Sequence, residues 1–175
     1  MYKKNLKFLI LAAMFTALEV VTVRLLPLTY YLPPGTFEVR VSAQFLCYGL
    51  AGWLVGPWWG MGSAVAADLI GVFINPTGSG VFFPGYTLSA AIGGLLYGLF
   101  LYKKQPSIWR CLGAVASQTV ICGLALGALW SSIYYGKGWL GMIITQYPIR
   151  LLLIIPYALA LLGLQNALPK QLTRR

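Results

Sequence analysis

Six apolar stretches occupy nearly all of this chain, and the breaks between them are short and rich in proline and glycine. That pattern constrains the fold more than any motif does. Inside hydrocarbon every backbone N–H and C=O needs a partner within the protein, so such stretches fold as helices. About 20 apolar residues cross a bilayer, and 175 residues hold six such crossings with little left over. The stretches read as 5–26, 41–55, 61–74, 86–102, 111–134 and 140–164, the second and third being short. Composition excludes the alternatives. Apolar residues make up 59% and charged residues 9%, with a mean hydropathy of +0.76. A soluble domain carries about 25% charged residues, and a disordered one needs low hydrophobicity. With no internal repeat or linker, residues 1–175 read as a single all-α integral membrane domain of six transmembrane helices. A positive N-terminal region before an apolar run also suits a signal peptide. Here the run continues to Leu26 without a small-residue cleavage site, so it reads as the first span.

The formal net charge is +10, and its placement explains it. Lys3, Lys4, Lys7, Lys103, Lys104, Arg110, Lys170, Arg174 and Arg175 all fall on one side of a six-span topology. The positive-inside rule then puts both termini in the cytoplasm. Basic character here signals orientation and not nucleic acid, since no basic stripe interleaves with exposed aromatics. This orientation puts two breaks, Pro27 to Arg40 and Asn75 to Gly85, on the outer face. They carry Tyr30, Tyr31, Phe37, Phe82, Phe83 and Tyr86. Such aromatics suit an interfacial belt, and they equally suit loops that gate a ligand pocket.

Enzyme chemistry lacks its parts. Histidine is absent, and the acids number three: Glu19, Glu38 and Asp68. No GxxxxGK[ST], GxSxG or HExxH is present, and no pair of intramembrane carboxylates is visible along the sequence. Cys47, Cys111 and Cys122 are widely spaced inside apolar runs and read as small buried residues, so no metal or other cofactor is expected. The chain is short for a transporter built from two inverted repeats. What remains is a small membrane binding or conduction unit.

Ionisable residues within a membrane are costly and therefore point to function. Asp68 lies near the middle of the third segment and Arg150 near the middle of the sixth. Glu19 lies past the middle of the first, and Arg40 opens the second. Arg40, Gln44 and Tyr48 follow a helical stripe, as do Gln146, Arg150 and Tyr157. Two readings fit these groups, with Gln118 beside them: an Asp68–Arg150 ion pair that holds the bundle, or a polar cavity open outward. On the first segment Glu19 lies about 200° from Ala17 at 100° per residue. If Glu19 faces the interior, Ala13 and Ala17 face outward, where an AxxxA face admits another helix closely. Packing of those alanines within the bundle is the other reading.

The motifs resemble a known family. "GPWWGMGSAVAADLIG" followed by "GVFFPGYTLSAAIGGLLYG" is similar to the substrate-binding S components of energy-coupling factor (ECF) vitamin transporters, and within them to the folate S component. The matching elements are Gly56-Pro57, Asp68-Leu69-Ile70-Gly71, Phe83-Pro84-Gly85-Tyr86-Thr87-Leu88-Ser89-Ala90 and Tyr97-Gly98. "VRVS" resembles the arginine-bearing start of the family's second helix, at Arg40. The chain departs from the family in its second segment, with Ala43-Gln44-Phe45 and Cys47-Tyr48 where a Gly-Phe and a proline are common.

The resemblance implies a non-enzymatic subunit of the bacterial plasma membrane. It would capture folate or reduced folates at the outer face, dock through Ala13 and Ala17 on a transmembrane coupling subunit, and rely on two ABC-type ATPases for energy. A pterin edge suits Asp68 or Glu19 as acceptor. The ligand carboxylates suit Arg40 and Lys137, and the rings suit Phe83 and Tyr86. Arg150 would pair with Asp68 or donate to the pterin carbonyl. Gln44, Tyr48 and Gln146 complete the expected wall. An S component for another vitamin, a stand-alone channel or facilitator, and an intramembrane enzyme are the competing readings.

Overall fold

A computed structural model describes residues 2–25, 28–32, 37–41, 43–74, 82–136, 140, 143 and 150–168. Helix α1 (Tyr2–Val20) runs on through one wide π-helical turn, Val21–Leu25. Next come α2 (Gln44–Leu54), α3 (Pro57–Ile74), α4 (Pro84–Leu101) and α5 (Ile108–Gln118). A π-helical segment, Thr119–Leu126, joins α5 to α6 (Gly127–Tyr135), so the fifth apolar stretch is one continuous helical rod. It stops at Gly136, whose φ of 63° is the left-handed cap that glycine takes without strain. The last helix is α7 (Ile154–Ala167), preceded by helical residues 150–152. Among the described residues, five helices are long and apolar enough to cross a membrane, within Leu6–Val23, Pro57–Ile74, Pro84–Leu101, Ile108–Trp130 and Arg150–Ala167. The stretch expected as the second span is covered by α2, whose eleven residues rise only about 16 Å. Residues 141–142 and 144–149 of the expected sixth span lie outside the described residues.

Two expectations need correction. Pro27 to Arg40, read as an irregular loop, contains an antiparallel hairpin of β1 (Leu28–Leu32) and β2 (Phe37–Val41), with Leu28 opposite Val41 and Leu32 opposite Phe37. "LTYYL" and "FEVRV" are rich in β-branched and aromatic residues. Pro33 and Pro34 fall between the strands, where no ladder N–H is required. The prolines excluded a helix without excluding a hairpin. The fold is thus helical with one small two-stranded element. The second correction concerns "GPWWG". Only Gly56 turns, at φ 103°, and Pro57 already opens α3, a first-turn position where its missing N–H costs nothing. Gly60 N–H donates to Gly56 O at 2.8 Å and closes that turn.

Packing rests on small residues. Helices α3 and α4 run antiparallel and nearly touch: a Cβ on Gly94 would stand 2.9 Å from the carbonyl carbon of Gly60 and 3.1 Å from Ala64 Cβ. Helix α2 enters the same crossing, where a Cβ on Gly52 would meet Gly98 N at 2.6 Å. Lipid tails offer helices no hydrophobic drive to associate, so close backbone approach of this kind supplies the contact energy. The core around it holds Tyr48, Trp53, Tyr97, Leu101, Val115 and Leu161. Cys47, Cys111 and Cys122 are all buried. A paired substitution tests the crossing. Gly94→Ala is expected to cost about 1–3 kcal/mol by forcing α3 and α4 apart. Gly62→Ala, where a Cβ meets nothing within 4 Å, should be neutral or stabilising by up to about 1 kcal/mol. Melting midpoints of the two variants in one detergent check both.

Candidate functional site

The α3–α4 crossing sets the geometry of the site. Gly60, Ala64 and Asp68 follow one face of α3 at four-residue spacing, and Gly94, Ala90 and Thr87 follow the facing side of α4. Where the glycines meet, the backbones touch. Farther along, Thr87 Oγ1 donates a hydrogen bond to Asp68 Oδ2 at 2.7 Å. Asp68 is half-buried. Of the two readings open from sequence, the Asp68–Arg150 ion pair is not found among the described residues. Arg150 instead lies along the π-helical segment, where a Cβ on Gly123 would stand 2.7 Å from its Nη1. The wide π turn and the missing side chain at position 123 make room for the guanidinium.

Beside Asp68 is a cavity of about 20 Å³ lined by Glu19, Val23, Gln44, Tyr48, Ala64, Ala67 and Asp68. That volume is about the room one water needs. Four of the residues singled out from sequence thus meet in one place, from α1, α2 and α3. Gln44 Nε2 donates to Tyr48 Oη at 2.6 Å, one turn along α2. Tyr48 is buried, with its ring centroid 6.2 Å from that of Tyr97. Glu19 is 1% exposed, and neither carboxylate oxygen meets a hydrogen-bond donor among the described residues. The sequence shows no pair of intramembrane carboxylates, yet the fold puts Glu19 and Asp68 on the wall of one cavity.

An aromatic cluster adjoins the cavity through Thr87. Phe83 caps the start of α4 and packs edge-on against Tyr86, with centroids 5.8 Å apart, and against Trp130 of α6 at 5.6 Å. Trp130 Nε1 donates to Ser89 Oγ at 3.0 Å, which fixes the indole. Gly85 lets Phe83 and Trp130 close over the helix start; a Cβ there would stand 2.6 Å from Trp130 Cδ2. Phe83 and Tyr86 thus sit together at the start of α4, and Tyr86 is exposed.

Other expected members are elsewhere. Arg40 lies on β2, paired opposite Thr29, and does not open a helix. Its helical stripe with Gln44 and Tyr48 is broken because α2 begins only at Gln44. Tyr157 stacks on Phe45 at 3.9 Å and 10°, an inter-helix contact of α7 with α2. Gln118 lies beside Gly93 and does not line the cavity. Gln146 and Lys137 fall outside the described residues. On α1, Ala12, Thr16, Glu19 and Val20 are buried, while Ala13 and Ala17 are exposed. The opposition of Glu19 and the alanine pair that helical phase requires is present. Thr87, Ser89 and Trp130 were not singled out from sequence. Thr87 and Ser89 stand inside the "FPGYTLSA" run. Trp130, a bulky polar-tipped ring after a run of small residues, was a signal left unused.

Comparison with known proteins places this geometry. Residues 7–170 match the sequence pattern of a family described as "ECF transporter, substrate-specific component". The folate transporter FolT of Clostridium novyi is 29% identical over 160 residues, covering 91% of this chain and 88% of that protein. FolT of Leuconostoc mesenteroides is 34% identical over 135 residues, covering 76% and 68%. A crystal structure of FolT bound with folic acid superposes with a TM-score of 0.79 at 26% identity, covering 92% of this chain and 93% of that one. The S component for biotin from an ECF-type ABC transporter shares the fold, with a TM-score of 0.66 at 21% identity over 100% and 99% of the two chains. That match, across residues 7–170, makes this chain a member of the ECF transporter substrate-specific component family.

Proposed function

We propose that this chain is the folate-binding S component of an ECF transporter, capturing folate or reduced folates at the outer face of a bacterial plasma membrane. One observation carries the reading: a buried, polar, membrane-embedded cavity, flanked by an aromatic cluster, in a chain similar along 92% of its length to FolT bound with folic acid. Folate combines a flat pterin, a benzoyl ring and two carboxylates. The pterin suits the donors and acceptors of Glu19, Gln44, Tyr48 and Asp68. The rings suit stacking on Phe83 and Tyr86. Arg40 and Lys137 are our candidates for the carboxylate end and Arg150 for the pterin carbonyl, with Gln146 on the adjoining wall. A cavity of about 20 Å³ is far smaller than folate, so entry requires the walls of the cavity to move apart.

In this reading six segments cross the bilayer with both termini in the cytoplasm, the second being the short 41–55 segment that holds α2. The exposed Ala13–Ala17 face is the docking surface for a transmembrane coupling subunit. Two ABC-type ATPases supply the hydrolysis, and the chain itself is not an enzyme. The polar cavity and the docking face lie on opposite sides of α1, so ligand and coupling subunit do not compete for the same surface.

Three experiments test these statements. Titration of purified protein, followed by tryptophan fluorescence and calorimetry against folate, 5-formyltetrahydrofolate, riboflavin, thiamine and niacin, is expected to show saturable binding of folates alone. Tight binding of another vitamin would keep the S-component role and remove the folate assignment. In the same assay Asp68→Asn is expected to weaken folate roughly tenfold; a change within twofold removes Asp68 from the recognition of the ligand. Replacing Ala13 and Ala17 together by Trp should abolish co-purification of the coupling subunit and ATPases with folate affinity retained. Co-purification surviving both bulky residues would place the interface elsewhere. For orientation, a membrane-impermeant maleimide should label Lys137→Cys in intact cells and Lys104→Cys only after permeabilisation.

A further inference from the structure

We propose that Glu19 is the specificity-determining acceptor of the pocket, taking the two parallel N–H donors of a 2-amino-4-oxopyrimidine edge: the lactam N–H and the exocyclic amine. The inference rests on the folate reading and names the side chain that reads the pterin. Glu19 is the most buried polar group on the cavity wall, and both its oxygens are without a donor among the described residues. A carboxylate withdrawn from water with no donor is expensive and gives way to the neutral acid, so donors arriving with the ligand are the natural means of holding the charged form. The neighbouring polar groups each already have one protein partner. Asp68 accepts from Thr87 and is half-buried. Tyr48 Oη accepts from Gln44 Nε2. The guanidinium of Arg150 lies against Gly123 and away from Glu19's cavity.

An ionised carboxylate is acceptor-only, and its two oxygens are spaced to take two side-by-side N–H groups. The 2-amino-4-oxo edge offers that pair. A neutral 2,4-diamino edge does not, because a ring nitrogen lone pair stands between its amines and faces the carboxylate. A carboxamide offers one donor and one acceptor, which suits the diamino edge better. Charge and hydrogen-bond pattern at position 19 therefore decide between a folate and its 4-amino analogue.

The test uses the full-length protein in detergent above neutral pH, titrated with folate, with 4-amino-4-deoxyfolate and with 2-desamino-2-methylfolate. Wild type is expected to prefer folate over both analogues by roughly tenfold or more. Glu19→Gln should lose roughly tenfold for folate while holding or gaining affinity for the 4-amino analogue, so that the ratio inverts; retained binding of that analogue also reports an intact pocket. Asp68→Asn should lower both affinities together and leave the ratio unchanged. An unaltered ratio in Glu19→Gln, an equal loss of both ligands there, or indifference of wild type to the 2-amino group overturns the role of Glu19. The last of these needs no variant to fold. Failure of wild type to bind folate at all removes the folate reading itself and is distinct from each of the other outcomes.

Discussion

At Gly60 and Gly94 two helices meet with almost nothing between their backbones, and the rest of the site follows from that approach. A Cβ at Gly94 would stand 2.9 Å from the carbonyl carbon of Gly60, so a side chain there pushes α3 from α4. That shift strains the bond of Thr87 to Asp68 and the wall that Asp68, Ala64 and Ala67 present to α1 and α2. In a bilayer this contact is also the main source of cohesion between helices, since packing and not exclusion of water holds them together. Stability and site geometry thus share one cause.

The polar groups show how a membrane protein keeps a binding site without dissolving its core. Helix α1 has one face with the buried Glu19 and Thr16 and an opposite face with the exposed Ala13 and Ala17. Thr16 answers its own polarity by donating to Ala12 O at 2.9 Å, one turn back. Gln44 and Tyr48 answer each other. Glu19, like Tyr97 Oη and Gln165 Nε2 elsewhere in the bundle, is left unanswered among the described residues, and of the three only Glu19 lines the cavity, where the chain departs from the rule that buried polar groups are satisfied. Such departures concentrate where a ligand completes the structure. The fold allows that exception because the surrounding helices are over-determined by close contacts at Gly52, Gly60, Gly94 and Gly98.

The rod from Ile108 to Tyr135 carries a second device. Its π-helical stretch widens the helix by one residue per turn and presents Gly123 to Arg150, which would otherwise clash. The long side chain of Arg150 is accommodated by the lack of a side chain opposite it at Gly123. Near the other end of that rod, Trp130 reaches Ser89 and joins Phe83 and Tyr86, so α6 and the start of α4 hold the aromatic side of the pocket together.

Much of this was legible in the residue order. Hydrophobic runs located the crossing helices, because in lipid a backbone without water must close its hydrogen bonds within its own segment. Helical phase alone set Glu19 against Ala13 and Ala17, since 100° per residue is a property of the local backbone. The motif around Asp68 and Phe83-Pro84-Gly85-Tyr86 pointed to the family. Misreadings arose where local sequence permits two backbones. "LTYYL" and "FEVRV" pair across the chain as strands, and Arg40 went with them, out of helical register with Gln44. The meeting of Glu19 with Asp68, the engagement of Asp68 by Thr87 and the diversion of Arg150 to Gly123 were decided by tertiary structure alone. Each depends on the distance and rotation between separate helices, which are set by how small residues on one helix admit the backbone of another and not by periodicity along any single segment.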